Sequence, residues 1–311
     1  MSSNYRRIQR FIADSQLIDF NRVAWFVVTL FGFLDSDYYL TFDRTNWKWG
    51  KKNINILMLA IAYKGIAIPV YWILLNKKGN SSTRERIALT HRFIKQFGKE
   101  HIIKFLADRE FVGKKWFEWL KSENIDFAIR IKKNNLATNS HGKCVPVQNL
   151  FRHLKVGENM ILMGARMVYE TSVYLSALRL EDGELLIVAT AKCCTDAIES
   201  YAKRWEIETL FGCLKSRGFN FEDTHVTDRR RIKSLLFVLV IAFCWAHRVG
   251  EWHHENVKPI KLKTHNRPEK SIFRLGLDVI SKCLFKLKFD RKKEINSLFL
   301  YLKLKQKECY G

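Results

Sequence analysis

The amino-acid sequence predicts an α/β fold in which a mixed β-sheet carries helices on its faces. Three β-rich runs lie between residues 38 and 75, and only Lys64 and Gly65 separate the last two, which predicts an antiparallel meander. Two apolar runs at 102–108 and 126–131 then alternate with helical patterns, as in parallel strands buried between helices. Together these observations predict a mixed core sheet of five strands.

Local signals support the individual elements of this core. In the first strand, which begins near Tyr38, the side chain of Asp43 falls on the same face as Tyr39 and Thr41. The sequence NSST at 80–83 predicts the start of the helix that follows the meander, and Gly98 predicts its end. The fourth strand is almost continuously apolar and ends on a carboxylate, which suits a buried parallel strand.

Residues 132–192 interrupt the alternation and predict a β-rich insertion, since a polar loop is followed by alternating and apolar runs. A helix at 201–215 and an apolar helix at 232–249 should follow. A polar linker at 251–270 and amphipathic helices at 271–284 and 293–305 complete the chain. Five regions are predicted. A short helical N-terminal region covers 1–36, and the core occupies 37–131 and 193–250 on either side of the insertion at 132–192. A basic helical region at 251–311 ends the chain.

Charge and composition narrow the choice of partner and compartment. The formal net charge is +23, and residues 229–311 hold 20 Lys and Arg against 7 Asp and Glu, which favours a polyanionic partner such as nucleic acid. The longest apolar run, 235–246, is too short to span a bilayer and predicts a core helix without a membrane partner. The seven cysteines lack metal-ligand spacing, so reduced thiols and a cytoplasmic location are expected.

The stretch YAKRWEIETLFGCLK at 201–215 places four functional side chains on one narrow helical stripe. At about 100° per residue, Tyr201, Arg204, Glu208 and Lys215 fall within an arc of about 60°. A carboxylate flanked by cations suits the binding of a metal together with phosphate groups. The alternative is a solvated helix face stabilised by pairing of Arg204 with Glu208.

Three acidic residues form the candidate catalytic set. Asp43 lies on the first strand, Asp108 ends the fourth and Glu208 lies on the helix, so neighbouring first and fourth strands would bring them together. Hard carboxylates suit two Mg²⁺ or Mn²⁺ ions about 3.5–4 Å apart, as used in phosphodiester chemistry. Alternatives stay open: Asp43 as a turn cap, Asp108 paired with Arg109 or at the start of a helix, and Glu208 paired with Arg204.

A second candidate surface is the basic run at 229–233. Cations at the start of a helix oppose the helix dipole, and this unfavourable placement favours contact with DNA phosphates over a solvated face. The residues concerned are Arg229, Arg230, Arg231 and Lys233.

Three motifs resemble those of the insertion-sequence-4 group of DDE transposases. The spacing Tyr-x2-Arg-x3-Glu-x6-Lys of that group matches residues 201–215 at all four positions. LTFDRTNWKWG around Asp43 and FLADREFVG around Asp108 resemble its two aspartate motifs, and SIFRLGLD at 271–278 resembles a segment near the end of such proteins.

The resemblance implies a ribonuclease-H-like core with a β-rich insertion before the catalytic glutamate. It implies a metal-dependent enzyme that cleaves the ends of its own insertion sequence and joins them to target DNA, working as a bacterial homodimer assembled on DNA. The metal ligands would be Asp43, Asp108 and Glu208, with two Mg²⁺ or Mn²⁺. Phosphates near the transposon end would contact Tyr201, Arg204 and Lys215.

Two other functions stay open at this stage. A metal-dependent DNA nuclease without strand transfer would use the same acids. A non-catalytic DNA-binding protein derived from a truncated transposase would fit the stretch of only about 40 residues ahead of Asp43.

Overall fold

The structure, a computed structural model, describes residues 3–13 and 18–286 and divides into two compact units. One unit is Gly32–Leu210, and the other combines Met1–Phe31 with Phe211–Gly311. The helices are α1 (Ser3–Ala13), α2 (Phe20–Leu30), α3 (Thr83–Phe97), α4 (Lys114–Ser122), α5 (Val147–Leu150), α6 (Ala197–Ala202), α7 (Glu206–Leu214), α8 (Arg229–Asn256) and α9 (Ile272–Lys286).

The unit Gly32–Leu210 is built on one mixed sheet. Its strands are β1 (Tyr38–Trp49), β2 (Lys52–Tyr63), β3 (Ile66–Leu74), β4 (Ile102–Ala107), β5 (Phe127–Ile131), β6 (Leu136–Thr138), β7 (Cys144–Pro146), β8 (Asn159–Ile161), β9 (Arg166–Val168), β10 (Thr171–Arg179) and β11 (Leu185–Thr190). The spatial order is β3-β2-β1-β4-β5-β11-β10-β9-β6-β7, and β8 pairs with β10. The predicted mixed α/β architecture is confirmed.

The core of this sheet follows the predicted pattern strand by strand. β1, β2 and β3 form an antiparallel meander, and β4 and β5 run parallel to β1. Apolar side chains on these strands, among them Leu40, Phe42 and Phe105, are fully buried. β11 closes on β5 in the antiparallel sense, so the strands of residues 132–192 extend the core sheet instead of folding apart from it.

The residues that the sequence predicts to start and end α3 do so in the structure. The Ser82 hydroxyl accepts a hydrogen bond from the Glu85 backbone N–H, and the Glu85 carboxylate accepts one from Ser82 N–H. This reciprocal cap satisfies two N–H groups that the first helical turn leaves free. Gly98 ends the helix with a φ of 76°, a conformation that glycine adopts without steric cost.

The predicted helix at 201–215 is corrected. α6 ends at Ala202, a 3₁₀ turn covers Lys203–Trp205, and α7 ends at Leu214, so Lys215 lies beyond the helix. A 3₁₀ turn rotates the chain by about 120° per residue instead of 100°, which shifts the direction of every later side chain. The single-stripe geometry predicted from a straight α-helix therefore does not hold for the whole stretch.

The second unit contains α1, α2, α8 and α9. α8 and α9 cross with backbone in contact, because a Cβ on Gly276 would lie 1.7 Å from the Ala246 carbonyl oxygen. A Cβ on Gly250 would lie 2.0 Å from the Ile272 carbonyl oxygen. Glycine at both positions is thus what allows the two helices to approach so closely.

α8 is longer than predicted and corrects two expectations. It runs to Asn256, so the polar linker begins later than residue 251. With 28 residues it is long and apolar enough to cross a membrane by length and composition alone, although half of its most apolar window is buried in the protein. Core helices of other proteins meet the same criterion. α9 corresponds to the predicted helix at 271–284, whereas the one at 293–305 lies outside the described residues.

Candidate active site

The two aspartates meet where β1 and β4 run side by side. These strands are parallel, and Phe42 of β1 is in register with Ala107, the last residue of β4. Asp43 and Asp108 directly follow these two residues, so the sheet brings them to neighbouring positions. The carboxyl ends of parallel strands commonly carry functional side chains in open α/β sheets.

Asp43 occupies a mostly buried and strongly polar position. Its Oδ1 accepts a 2.7 Å hydrogen bond from the Arg44 backbone N–H, and 18% of its side chain is exposed. The pKa of Asp43 is raised to about 6, mainly by burial and also by the charges of Glu110 and Glu208, against the opposing effect of Arg44 N–H and Arg204. Asp43 is therefore harder to ionise in the folded protein than in water, and a nearby cation favours its ionised form.

α6 is anchored firmly over the same part of the sheet. Lys104 of β4 forms an ion pair with Asp196 at the start of α6 and donates a 3.1 Å hydrogen bond to the Ser200 hydroxyl. An apolar cluster adds to this anchor and contains Leu106, Ala128, Leu186, Val188, Ala197 and Tyr201. Polar and apolar contacts together fix the helix that carries Tyr201 relative to the strand that ends at Asp108.

Tyr201 is fully buried, and its hydroxyl donates a 3.3 Å hydrogen bond to Asp108 Oδ1. Burial raises the pKa of this phenol to about 12, and the nearby Asp108 raises it as well, against the effect of Arg204. Tyr201 is consequently a neutral hydrogen-bond donor at physiological pH, directed at the second aspartate.

Arg204 links the other two acids through one guanidinium. Its Nη2 lies 2.8 Å from Glu208 Oε1 and its Nη1 lies 3.4 Å from Asp43 Oδ2, while only 3% of the side chain is exposed. The pairing with Glu208 is thus present, but it is part of a bridge to Asp43 and not an isolated surface pair. Tyr201 and Arg204 together connect Asp108, Asp43 and Glu208.

The structure supports neither of the local alternatives for the two aspartates. Asp43 lies within β1 and not at a turn. Arg109 approaches Glu184, with 4.0 Å between Nη1 and Oε1, whereas Asp108 accepts its hydrogen bond from Tyr201. Neither local explanation accounts for the position of these acids.

The remaining predicted DNA-binding residues lie in the second unit. Lys215 follows α7 and forms an ion pair with Glu222, with 3.5 Å between Nζ and Oε2. The basic run occupies the exposed first turns of α8, where the Asp228 side chain caps the helix through Arg231 N–H at 3.0 Å. The exposed cations there are Arg229, Arg230, Arg231 and Lys233.

The three acids carry ligand atoms of the chemical type that binds divalent cations. Their oxygens are the hard ligands that Mg²⁺ and Mn²⁺ prefer. Burial, together with the charges of Glu110 and Glu208, raises the pKa of Asp43, and a bound cation would favour its ionised form. Within residues 3–13 and 18–286, however, no three His, Cys, Asp or Glu side chains stand close enough together to hold a metal ion. In this arrangement the Arg204 guanidinium supplies the positive charge between Asp43 and Glu208.

Sequence reasoning missed two residues beside the acids. Arg44 and Glu110 form a two-point ion pair, with 3.2 Å for both Nε–Oε1 and Nη2–Oε2. Each lies within two residues of a candidate metal ligand, and both fall inside the aspartate motifs. Their pairing spans 66 residues of sequence, and no local periodicity indicates it.

Comparison with known proteins gives a family match. A family model described as a transposase DDE domain matches residues 6–245. The chain resembles a piggyBac transposase solved in a synaptic complex with hairpin DNA, at 10% identity and a TM-score of 0.40, over 86% of this chain and 57% of that one. It also resembles a Ciona intestinalis endonuclease V in complex with DNA, at 15% identity and a TM-score of 0.30, over 65% and 92% of the two chains. No curated protein sequence matches the chain.

Proposed function

The chain belongs to the transposase DDE-domain family, and we propose that it cleaves the ends of a mobile DNA element and joins them to target DNA with divalent metal ions. Family membership places it broadly among DNA-cleaving enzymes. Strand transfer, metal dependence and the identity of the catalytic residues are part of the proposal.

One observation carries the assignment of the site. Asp43 and Asp108 follow residues in register on parallel strands, and the Tyr201–Arg204 segment connects both of them to Glu208. Three acids from three separate elements are thus linked through two buried side chains. A solvated helix face would not require Arg204 to be 97% buried.

Asp43, Asp108 and Glu208 would hold two Mg²⁺ or Mn²⁺ ions. When bound, such ions activate a water molecule or 3′-hydroxyl and stabilise the leaving oxygen of a phosphodiester. The protein's own part is to keep the carboxylates ionised and oriented: Arg44 N–H and Arg204 favour the ionised form of Asp43, and Tyr201 orients Asp108. Because the fold holds the carboxylate oxygens in place before DNA binds, less entropy is lost in reaching the reactive geometry.

DNA phosphates would be held by polar and cationic side chains. We assign phosphate contacts near the element end to Tyr201, Arg204 and Lys215. The exposed basic turns of α8 would add contacts independent of sequence, because phosphates are attracted both to cations and to the positive end of a helix. The residues proposed there are Arg229, Arg230, Arg231 and Lys233.

A ribonuclease-H-like core and membership of the insertion-sequence-4 group are also part of the proposal. The order β3-β2-β1-β4-β5, with an antiparallel meander followed by two strands parallel to β1, supports the first. The four matching positions of the motif at 201–215 support the second. We further expect a bacterial, cytoplasmic homodimer assembled on DNA.

The test is cleavage and joining of DNA that carries the sequences flanking the gene, in which the proposal predicts inverted repeats. We expect Asp43→Asn, Asp108→Asn and Glu208→Gln each to abolish Mg²⁺-dependent cleavage while circular dichroism shows an intact fold. Two acids outside the set provide matched controls: Asp35, exposed ahead of β1, and Glu199, exposed on α6. Asp35→Asn and Glu199→Gln should cleave at the wild-type rate.

The same assay separates the competing functions. Wild-type cleavage without joining of a 3′-hydroxyl end would identify a nuclease, and DNA binding without cleavage would identify a non-catalytic protein. Wild-type rates in any one of the three acid variants would refute the catalytic assignment.

A further inference from the structure

Arg44 and Glu110 tie together the two elements that carry the aspartates. Arg44 follows Asp43 on β1, and Glu110 lies two residues after Asp108 in the loop that leaves β4. Their side chains meet at two points, each 3.2 Å long, and are only 14% and 21% exposed. The distance between the two aspartate backbones is therefore bounded by the sheet on one side and by this ion pair on the other.

The Arg44 end of the pair is itself held in place. Arg44 Nη1 donates a 3.1 Å hydrogen bond to Asn55 Oδ1 on the neighbouring strand β2. Asn55 is 2% exposed, and its Nδ2 donates to the carbonyl oxygens of Lys77 at 3.0 Å and Gly79 at 2.9 Å. These bonds fix the amide orientation of Asn55 and, through it, the position of the Arg44 guanidinium.

The Glu110 end is held by a second buried arginine. Arg86 of α3, which is 4% exposed, donates a 2.8 Å hydrogen bond from Nη2 to the Glu110 carbonyl oxygen. It also donates to the Val112 carbonyl oxygen at 3.3 Å and to the Ser81 carbonyl oxygen at 2.8 Å. The loop after Asp108 is thus fastened to a helix by its backbone and to β1 by the Glu110 side chain.

Stability alone is a weak reason for such an arrangement. Removing two charges from water costs free energy that their attraction often fails to recover, and well-packed apolar residues commonly replace buried ion pairs without loss. What an arginine–carboxylate pair does provide is a defined distance and orientation, because the planar guanidinium meets both oxygens at once.

We propose that Arg44 and Glu110 are positioning residues that set the separation of Asp43 and Asp108 for divalent metal binding. The inference rests on the proposed function, since it takes these aspartates as the metal ligands. Residues that orient metal ligands without touching the metal commonly change metal affinity by about 10–100-fold.

The experiment is calorimetric titration of the full chain with Mn²⁺. The key variant is Arg44→Lys, which keeps the positive charge beside Asp43 but replaces the planar two-point contact with a single ammonium group. The second variant, Glu110→Gln, keeps the side-chain length and removes the ion pair. We expect both to weaken Mn²⁺ binding by about 10–100-fold.

A matched control breaks another ion pair of the same sheet. Arg130 of β5 is 13% exposed and pairs with Glu184, with 2.6 Å between Nη2 and Oε1. Arg130→Lys should leave Mn²⁺ affinity within about twofold of wild type, since its pair spans no candidate metal ligand. Thermal unfolding in EDTA is measured for every variant, so that a general loss of structure is recognised separately from a loss of affinity.

The outcomes distinguish this inference from the function on which it rests. Wild-type Mn²⁺ binding that persists in Asp43→Asn overturns both. Binding that is lost in Asp43→Asn but unchanged in Arg44→Lys and Glu110→Gln overturns the positioning role alone. A third outcome is unchanged binding in Arg44→Lys together with weaker binding in Glu110→Gln. The pair would then supply charge and not two-point geometry, and this result also overturns the positioning role.

Discussion

Replacement of Asp43 by asparagine should stabilise the metal-free protein at neutral pH. Burial, with the charges of Glu110 and Glu208 adding to it, raises the pKa of Asp43 from 3.8 to about 6 in the folded protein. Between these two values the folded state binds a proton that the unfolded state has released, so the free energy of unfolding falls as the pH rises through this window. Above it, the ionised Asp43 costs the folded state about 3 kcal/mol, at about 1.4 kcal/mol per pKa unit.

The measurement compares thermal unfolding of wild type and Asp43→Asn in EDTA at pH 7.5 and at pH 4. Asparagine resembles the protonated acid and never ionises, so the variant should be more stable by up to about 3 kcal/mol at pH 7.5. For a unit of this size that corresponds to a rise in Tm of up to about 6–12 °C. At pH 4, where the wild-type acid is protonated in the folded state, most of the difference should disappear.

The metal provides the second half of the test. Mn²⁺ should raise the Tm of wild type at pH 7.5 and leave Asp43→Asn unchanged, because a ligand that binds only the folded state stabilises it. Asp35→Asn, an exposed acid ahead of β1, should behave as wild type throughout. An Asp43→Asn variant that is less stable than wild type at pH 7.5 without metal would refute the reasoning.

Three further predictions concern other parts of the molecule. Arg204→Gln should lower the Tm in EDTA, since removing one partner of a buried pair leaves unbalanced charge, and Mn²⁺ should restore more stability to it than to wild type. Gly276→Ala should lower the free energy of unfolding in urea by about 1–3 kcal/mol, because its Cβ would lie 1.7 Å from the Ala246 carbonyl oxygen. Each glutamine substitution in the basic turns of α8 should reduce the slope of log affinity for duplex DNA against log salt by about 0.9, whereas a Lys51→Gln change in the β1–β2 turn should not. The α8 substitutions are at Arg229, Arg230, Arg231 and Lys233.

The core sheet could be predicted because its signals are local. β-rich composition, a short link at Lys64 and Gly65, and a buried run that ends on Asp108 each depend on a few adjacent residues. The two aspartates follow from that order of elements. The length of α8 could not be predicted in the same way, since its last turns, around His253 and His254, are polar and resemble a linker in sequence.

The arrangement around the acids could not be predicted because it depends on contacts distant in sequence. A straight helix at 201–215 would place Tyr201 and Glu208 on one stripe, but the 3₁₀ turn at Lys203–Trp205 changes the direction of the side chains that follow it relative to Tyr201. That turn contains Arg204, whose guanidinium reaches Asp43 from 161 residues away. Such a bridge is visible only once β1 and the 3₁₀ turn are placed in space.

The two arginines near the acids differ in how they are held, and this difference indicates different roles. Arg44 meets Glu110 at two equal distances of 3.2 Å, and Asn55 and its backbone partners fix it from the other side. Arg204 is shared unequally, at 2.8 Å from Glu208 and 3.4 Å from Asp43. A cation bound by both acids would take over the charge that Arg204 now supplies and would free the guanidinium for a phosphate. The side-chain contacts of Arg44, in contrast, are with Glu110, Asn55 and Asn80 and involve neither acid. The proposed site therefore combines one arginine that keeps its contacts with one that can exchange them.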